Sequence, residues 1–335
     1  MDPEPRRRKA WSFIAALVGG IALGAASVGF RDSRRARIAA GPALHTEGNG
    51  VCSPRLWVLL TSQRSGSTFF CQVLNFQPGL AVGVPNAKSP SGKREEMLIG
   101  YSYSYPSPTV TWEKWRGSAG QAFDAVKRAG CDADAGIKAV GFKIMYDQIP
   151  PHLFPRVLAW LSASKVAVVH LVREAAVLRL ASHAQSAVDH SANTTYVNAH
   201  VTHPMTWRDP SRVVDAVRRI EEENDWWRSR LSLAPLKLAY HYVAYESLVS
   251  AGRAAAAADV VRFVGVDADD DPFANLPETG GLLALHERAC GDRVDRWDEI
   301  APLLNGTRCA AACALLANVT LPGLPPPEKV DGYVW

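Results

Sequence analysis

The sequence predicts an α/β protein of three layers, with a mostly parallel central sheet between helices and one membrane-spanning helix ahead of it. Three observations carry this. Short apolar runs alternate with segments of helical period along most of the chain, the pattern of strands joined by crossover helices. The first strand-like run, Leu56 to Leu60 in "RLWVLLTSQRSGSTFFCQVL", is continuously apolar, as expected of a strand buried on both faces. Residues 11–30, "WSFIAALVGGIALGAASVGF", carry no charge and are long enough to cross a bilayer.

Taken in order, residues 1–10 form a basic tail, 11–30 an anchor, 31–50 a stem that is first basic and then rich in Gly and Ala, and 51–335 the main domain. A cleaved signal peptide is the rival for the apolar segment, but its core is usually shorter. Basic residues flank both ends, so charge alone does not orient the anchor. Two further features do. Three N-glycosylation sequons begin at Asn193, Asn305 and Asn318, and six cysteines, 52, 71, 131, 290, 309 and 313, all follow the apolar segment. Both favour a short cytosolic tail and a lumenal domain in an oxidising compartment. Cys71, on an apolar helix face, is expected to be a buried thiol.

Within the domain, the stretch from Thr68 has Phe69, Val73, Leu74 and Phe76 near helical spacing. "KAVGFKIMY" (138–146) is a strand, "PPHLFPRVLAWLSAS" (150–164) a helix opened by prolines, and "KVAVVHLV" (165–172) a strand. "EAAVLRLASHAQSAV" (174–188) is a helix, and 209–231 another, with Asp209 as its cap and Pro210 in its first turn. Val213, Val217, Ile220, Trp227 and Leu231 share a face of that helix, which reads as core rather than a ligand box. "PLKLAYHYVAY" (235–245) is a strand, 246–266 an alanine-rich helix, and "PGLPPPE" (322–328) an extended tail. No internal repeat is present. The composition, 47% hydrophobic and 21% charged, is that of a globular domain. A net charge of +4, much of it in the first 40 residues, gives no case for nucleic acid.

The chemistry starts at Ser62-Gln63-Arg64-Ser65-Gly66-Ser67-Thr68. A loop joining a strand to a helix N-terminus offers free backbone N–H groups and the positive end of the dipole to an anion. Arg64 adds a forked cation, Gly66 close backbone approach, and Ser65, Ser67 and Thr68 hydroxyls. The Walker A loop fits poorly: the first glycine is absent and Ser67 stands where the lysine belongs. A second anion element lies in "LVREAAVLRLAS". Arg173 is at the carboxyl end of the next strand, and Ser182 is two turns into the following helix. In a parallel sheet ligands bind beyond the carboxyl ends of the strands. One ligand with two separated anionic groups would satisfy both elements.

Together, "TSQRSGST" and "LVREAAVLRLAS" resemble the 5′-phosphosulfate loop and 3′-phosphate element of sulfotransferases that use 3′-phosphoadenosine 5′-phosphosulfate (PAPS). "GFKIMYDQ", "YESL" (245–248) and "RWDEIAPLLNGTRC" (296–309) further resemble the nodulation protein H type of carbohydrate sulfotransferase. The resemblance, over residues 55–309, implies a P-loop-like fold and sulfuryl transfer from PAPS, without a metal, to an acceptor hydroxyl, a glycan before a peptide tyrosine or small alcohol. It implies that Arg64, Ser65, Gly66, Ser67, Thr68, Arg173 and Ser182 bind the co-substrate. The base resembles Glu96 in "KREEMLIGYS", with Glu95 its near rival, while Arg64 and Lys143 assist at the transferred group. His183 is a weaker base candidate, and Glu246 reads as a helix N-terminal carboxylate. The implied setting is a Golgi membrane, single-pass, with the domain lumenal. Here Glu174-Ala175 replaces the family's Asp/Asn-Pro, and Arg64 stands for a loop lysine. The rivals are a kinase-like P-loop enzyme and a non-catalytic lumenal binding protein. A serine hydrolase lacks its nucleophile elbow, and one apolar span excludes a transporter.

Overall fold

The computed structural model describes residues 52–84, 110–132, 136–191, 207, 209–232, 237–269, 271–274 and 289–317. The expected tail, anchor and stem (1–50), Glu95 and Glu96, the sequons at Asn193 and Asn318, and the extended tail lie outside them. Among the described residues no helix is long and apolar enough to cross a membrane.

Five parallel strands form one sheet in the order β2-β3-β1-β4-β5: β1 Arg55–Thr61, β2 Leu80–Val82, β3 Ala139–Met145, β4 Ala167–Val172 and β5 Tyr240–Ala244. β1 is central, with Leu59 beside Lys143 on one side and Val169 on the other. Helices α1 (Ser67–Asn75), α2 (Trp112–Asp132), α3 (Phe154–Ala163), α4 (Ala176–Ser191) and α5 (Pro210–Leu231) join or flank the strands. The chain continues through α6 (Tyr245–Val249), α7 (Arg253–Phe263), α8 (Cys290–Arg293), α9 (Trp297–Leu303) and α10 (Arg308–Ala317).

The three layers follow from the period of two along each strand. Trp57 and Leu59 face a core with Phe70 and Leu74 of α1, Val177 of α4 and Val260 of α7. Val58 and Leu60 face the other core, with Phe123 of α2 and Val157 and Leu161 of α3. α5 serves both: Val213 and Val217 join the first, Trp227 and Leu231 the second. Gly141 lets β1 and β3 pair under the Trp57 indole, because a Cβ there would sit 2.3 Å from the ring.

The sequence-based elements differ from the structure in three places. β2 is only 3 residues long, and α2 falls in a stretch given no element from the sequence, although Trp115, Ala119, Ala122, Phe123 and Val126 recur at helical spacing and are buried. The alanine-rich segment breaks at Ser250-Ala251-Gly252 into α6 and α7, with Ser250 in extended backbone at the end of α6 and Gly252 leading into α7. α5 starts as expected: Pro210 opens it and the Asp209 carboxylate accepts from the Ser211 N–H at 3.0 Å. Trp227 packs in the core, stacked 4.3 Å from Tyr146. Disulfides join Cys52 to Cys131 and Cys290 to Cys313. Cys71 and Cys309 are buried and outside any disulfide.

Candidate anion-binding site

From β1 the chain crosses to β2 on one side, and from β4 to β5 on the other. The connections therefore part between β1 and β4, and at such a switch point a crevice opens beyond the carboxyl ends. The loop 62–66 and Arg173 both lie there.

The loop is curled by two left-handed residues, Arg64 at φ 62 and Gly66 at φ 82. Curls of this kind turn successive N–H groups inward as an anion cradle. Its base is pinned to the sheet: the Thr61 hydroxyl donates to the Leu171 carbonyl at 2.8 Å and lies 2.5 Å from the Ser65 hydroxyl. Ser65 is fully buried. Its hydroxyl, expected to face an anion, is thus engaged inward by Thr61, and its backbone N–H is what it offers the cradle. Ser67 and Thr68 open α1. Lys143, 2% exposed on β3, donates from Nζ to the Thr68 hydroxyl at 3.3 Å. A cation thereby reaches the loop from the neighbouring strand.

Arg173, just past β4, donates from Nη1 to the Arg64 carbonyl at 3.4 Å. Its guanidinium carbon lies 5.0 Å from the centre of the Tyr245 ring. Its Nε is buried and has no partner among the described residues. A guanidinium placed so, with one donor in use and another idle, fits a second anionic group. Ser182 is half-buried on α4.

One turn joins the two elements. Tyr245, fully buried, packs so closely on Gly66 that a Cβ there would stand 2.1 Å from the ring. Next to it, Glu246 is 1% exposed and accepts the Glu174 and Ala175 N–H groups at 3.1 and 2.8 Å. Glu246 is a helix N-terminal carboxylate, as expected, but the amides it holds lead into α4 rather than its own α6. Burial pushes its carboxyl above the ordinary range, against the pull of those amides and Arg173. Glu174 is fixed in turn, accepting from Tyr242 at 2.6 Å and Arg228 at 3.1 Å.

His183 is pushed down to about 4 by burial and by Arg179 and Arg64, so its imidazole is neutral near pH 7 and opposed to gaining a proton. Arg179 pairs with Glu223 at 2.9 Å. Beside the loop, Asp147 follows β3 and accepts from the Gln63 amide at 2.6 Å; burial raises its carboxyl. Sequence reasoning gave no role to Asp147, to the Gln63 side chain or to the packing of Tyr245. The signal was present in "MYDQ", where a carboxylate directly follows a strand expected to end at the site. Among the described residues no group of three or more His, Cys, Asp or Glu gathers as a metal site.

No family model matches the chain, and no curated protein matches it. Solved structures similar to it include a sulfotransferase from Alicyclobacillus acidocaldarius, at 15% identity and TM-score 0.38, covering 81% of this chain and 98% of that one. The sulfotransferase domain of the Synechococcus PCC 7002 olefin synthase aligns at 16% identity and TM-score 0.33, over 82% of this chain and 92% of that one. The sulfotransferase domain from the curacin biosynthetic pathway aligns at 16% and 0.35, over 83% and 95%. At such scores the likeness establishes no activity.

Proposed function

We propose that this chain is a PAPS-dependent sulfotransferase acting on an acceptor hydroxyl, a glycan hydroxyl first among acceptors. The observation that carries the reading is the joining of two anion elements by one buried turn. Tyr245 packs on Gly66 of the loop and beneath Arg173, whose Nε is idle. That arrangement suits a ligand anionic at both its 5′ and 3′ ends. The amides of 64–68, with Arg64, Ser67 and Thr68, hold the phosphosulfate, and Lys143 balances charge from β3. Arg173 and Ser182 hold the 3′-phosphate. In the transfer, the acceptor oxygen bonds to sulfur, the sulfur–oxygen bond to the phosphate breaks, and the acceptor proton passes to a carboxylate, Glu96. The proposed setting is a Golgi membrane with the domain lumenal. Residues 11–30, the sequons and the two disulfides support it.

One observation favours a kinase-like reading. Asp147 stands just past β3, where a carboxylate can serve Mg²⁺, and its Oδ1 is buried with no partner among the described residues. Against it, Oδ2 is bound by Gln63 of the loop itself, and Glu174, the carboxylate after β4, is bound by Tyr242 and Arg228. Thermal stabilisation separates the readings. Adenosine 3′,5′-bisphosphate is expected to raise the melting temperature, and Arg173→Ala to abolish the rise. Stabilisation by Mg-ATP alone would transfer the site to a kinase-like enzyme. A folded sample that responds to neither would leave a binding protein.

A further inference from the structure

We infer that Asp147 is a positioning residue that acts through Gln63 to hold the phosphosulfate loop in its anion-binding curl. The inference rests on the sulfotransferase reading for its ligand, and on geometry for the rest.

Arg64 is the reason the loop needs holding. Its left-handed backbone, φ 62, is one that an L side chain other than Gly, Asn or Asp adopts only where its surroundings impose it. Two contacts flank it. Arg173 binds the Arg64 carbonyl from the β4 side. From the β3 side, Asp147 binds the side-chain amide of the residue just before it, Gln63, at 2.6 Å. β3 and the turn that follows it thus grip the loop at both ends, through Asp147 at Gln63 and through Lys143 at Thr68.

Asp147 is itself anchored. It is the middle residue of a single 3₁₀ turn, Tyr146–Gln148. Before it, the Tyr146 hydroxyl bonds His170 Nε2 and the ring stacks on Trp227. After it, Gln148 is 4% exposed; its side chain accepts the Met145 N–H at 2.8 Å and its carbonyl accepts the Trp115 indole N–H at 2.8 Å. A carboxylate on a turn so fixed on both sides is a rigid post. The charged groups that bear on it are Glu223 and Arg179, which pair with each other. Gln63 gives Asp147 an uncharged donor, so the bond constrains the loop without neutralising Arg64 beside it. Residues that lock the rotamers of a binding constellation, rather than touching the ligand, are what such sites need to stay within reach of productive geometry.

The test compares Asp147→Ala, Asp147→Asn, Gln63→Ala and the double variant Asp147→Ala/Gln63→Ala, with two readouts. The first is amide hydrogen exchange of residues 63–68 in the ligand-free protein, which does not depend on what the site binds. Asp147→Ala and Gln63→Ala should speed exchange there by about tenfold. Asp147→Asn, which keeps an oxygen to accept from Gln63, should stay within about threefold of the parent, and the double variant should be no faster than either single one. The second is affinity for adenosine 3′,5′-bisphosphate together with kcat and KM for PAPS. Asp147→Ala should weaken binding and raise KM by about tenfold, while Asp147→Asn restores both and keeps the parent's pH profile. Unchanged exchange in Asp147→Ala overturns the inference. So does loss of kcat in Asp147→Asn with affinity intact and a limb of the pH profile gone, the mark of a proton acceptor, or loss of Mg-ATP stabilisation in Asp147→Asn, the mark of a metal carboxylate. If the parent fails to bind the bisphosphate, the sulfotransferase reading falls while the exchange comparison still decides the role of Asp147.

Discussion

Gly66→Ala tests how tightly the C-terminal turn is wired to the loop. The methyl group would meet two penalties. At φ 82 an alanine backbone is strained by about 1 kcal/mol. Its Cβ would also stand 2.1 Å from Tyr245 Cε2 and 2.4 Å from Cδ2. Tyr245 is fully buried, so the ring has nowhere to withdraw, and overpacking of this kind costs about 1–3 kcal/mol. The sum is about 2–4 kcal/mol, which at roughly 2–4 °C per kcal/mol for a domain of this size lowers the melting temperature by roughly 4–16 °C. The decisive measurement is a double-mutant cycle by urea unfolding with the disulfides intact. Tyr245→Ala alone should cost about 3–5 kcal/mol by leaving a cavity. In that background the methyl group of Gly66→Ala has room, and only the backbone strain of about 1 kcal/mol should remain. A coupling of about 1–3 kcal/mol is therefore expected. Additive costs would mean that the ring and the loop do not touch as described, and the joining of the two anion elements would fail with them.

Two further outcomes follow from groups away from the loop. His170 is fully buried between the hydroxyls of Tyr146 and Tyr240, and burial depresses its imidazole to about 3 from the ordinary 6.5. The unfolded chain therefore binds the extra proton, so this part of the stability is complete above pH 6.5 and is lost as pH falls toward 3, by about 1.4 kcal/mol per pH unit. His170→Gln should flatten that slope in unfolding measured from pH 7 to 4; a slope as steep as the parent's would refute it. For the disulfides, the Cys52–Cys131 bridge spans 79 residues and Cys290–Cys313 spans 23. Loop-closure entropy gives about 4.5 and 3.4 kcal/mol respectively as ceilings, so Cys52→Ser should destabilise more than Cys290→Ser, and a reversed order by urea unfolding would place the stabilisation in local packing instead.

What the sequence disclosed depended on how far each signal was local. β1, β3 and β4 are buried on both faces, so their mostly apolar runs were plain to read despite Lys143 in β3 and His170 in β4. The helix cap at Asp209 needs only its own neighbours. β2 is three residues long, and its membership in the sheet is decided by pairing with β3, from Leu80 beside Ala139 to Val82 beside Gly141, which no local pattern encodes. The two candidate anion elements could be proposed from sequence because strand, small polar loop and helix come in succession. Their junction was not. Tyr245 reaches Gly66 across the fold, and Glu246 caps a helix start 71 residues earlier. Both are consequences of β5 lying beside β4, a fact of topology. Asp147 was missed for the same reason: its partner Gln63 is 84 residues away in sequence and adjacent only because β1 and β3 pair.

The departure from the Walker A pattern also has a structural account. In that pattern a lysine within the loop supplies the cation at the phosphates, and here Ser67 occupies its place. A cation stands instead on the next strand: Lys143 is buried on β3, in register beside Leu59, and its amine reaches Thr68, one residue past the missing lysine. A buried ammonium is costly unless it has partners, and the Thr68 hydroxyl is one of them. Lys143 is thereby held beside the start of α1, where its charge would also bear on an anion bound at the loop. A cation fixed to a strand also differs mechanically from one on the loop, because it stays in place if the loop relaxes. Loop curl and cation position are then set separately, the first by Gly66, Tyr245 and the contacts around Arg64, the second by the β1–β3 pairing. Weakening the curl should reduce affinity for the ligand while leaving Lys143 in position, whereas Lys143→Met should spare the curl and remove charge balance at the transferred group.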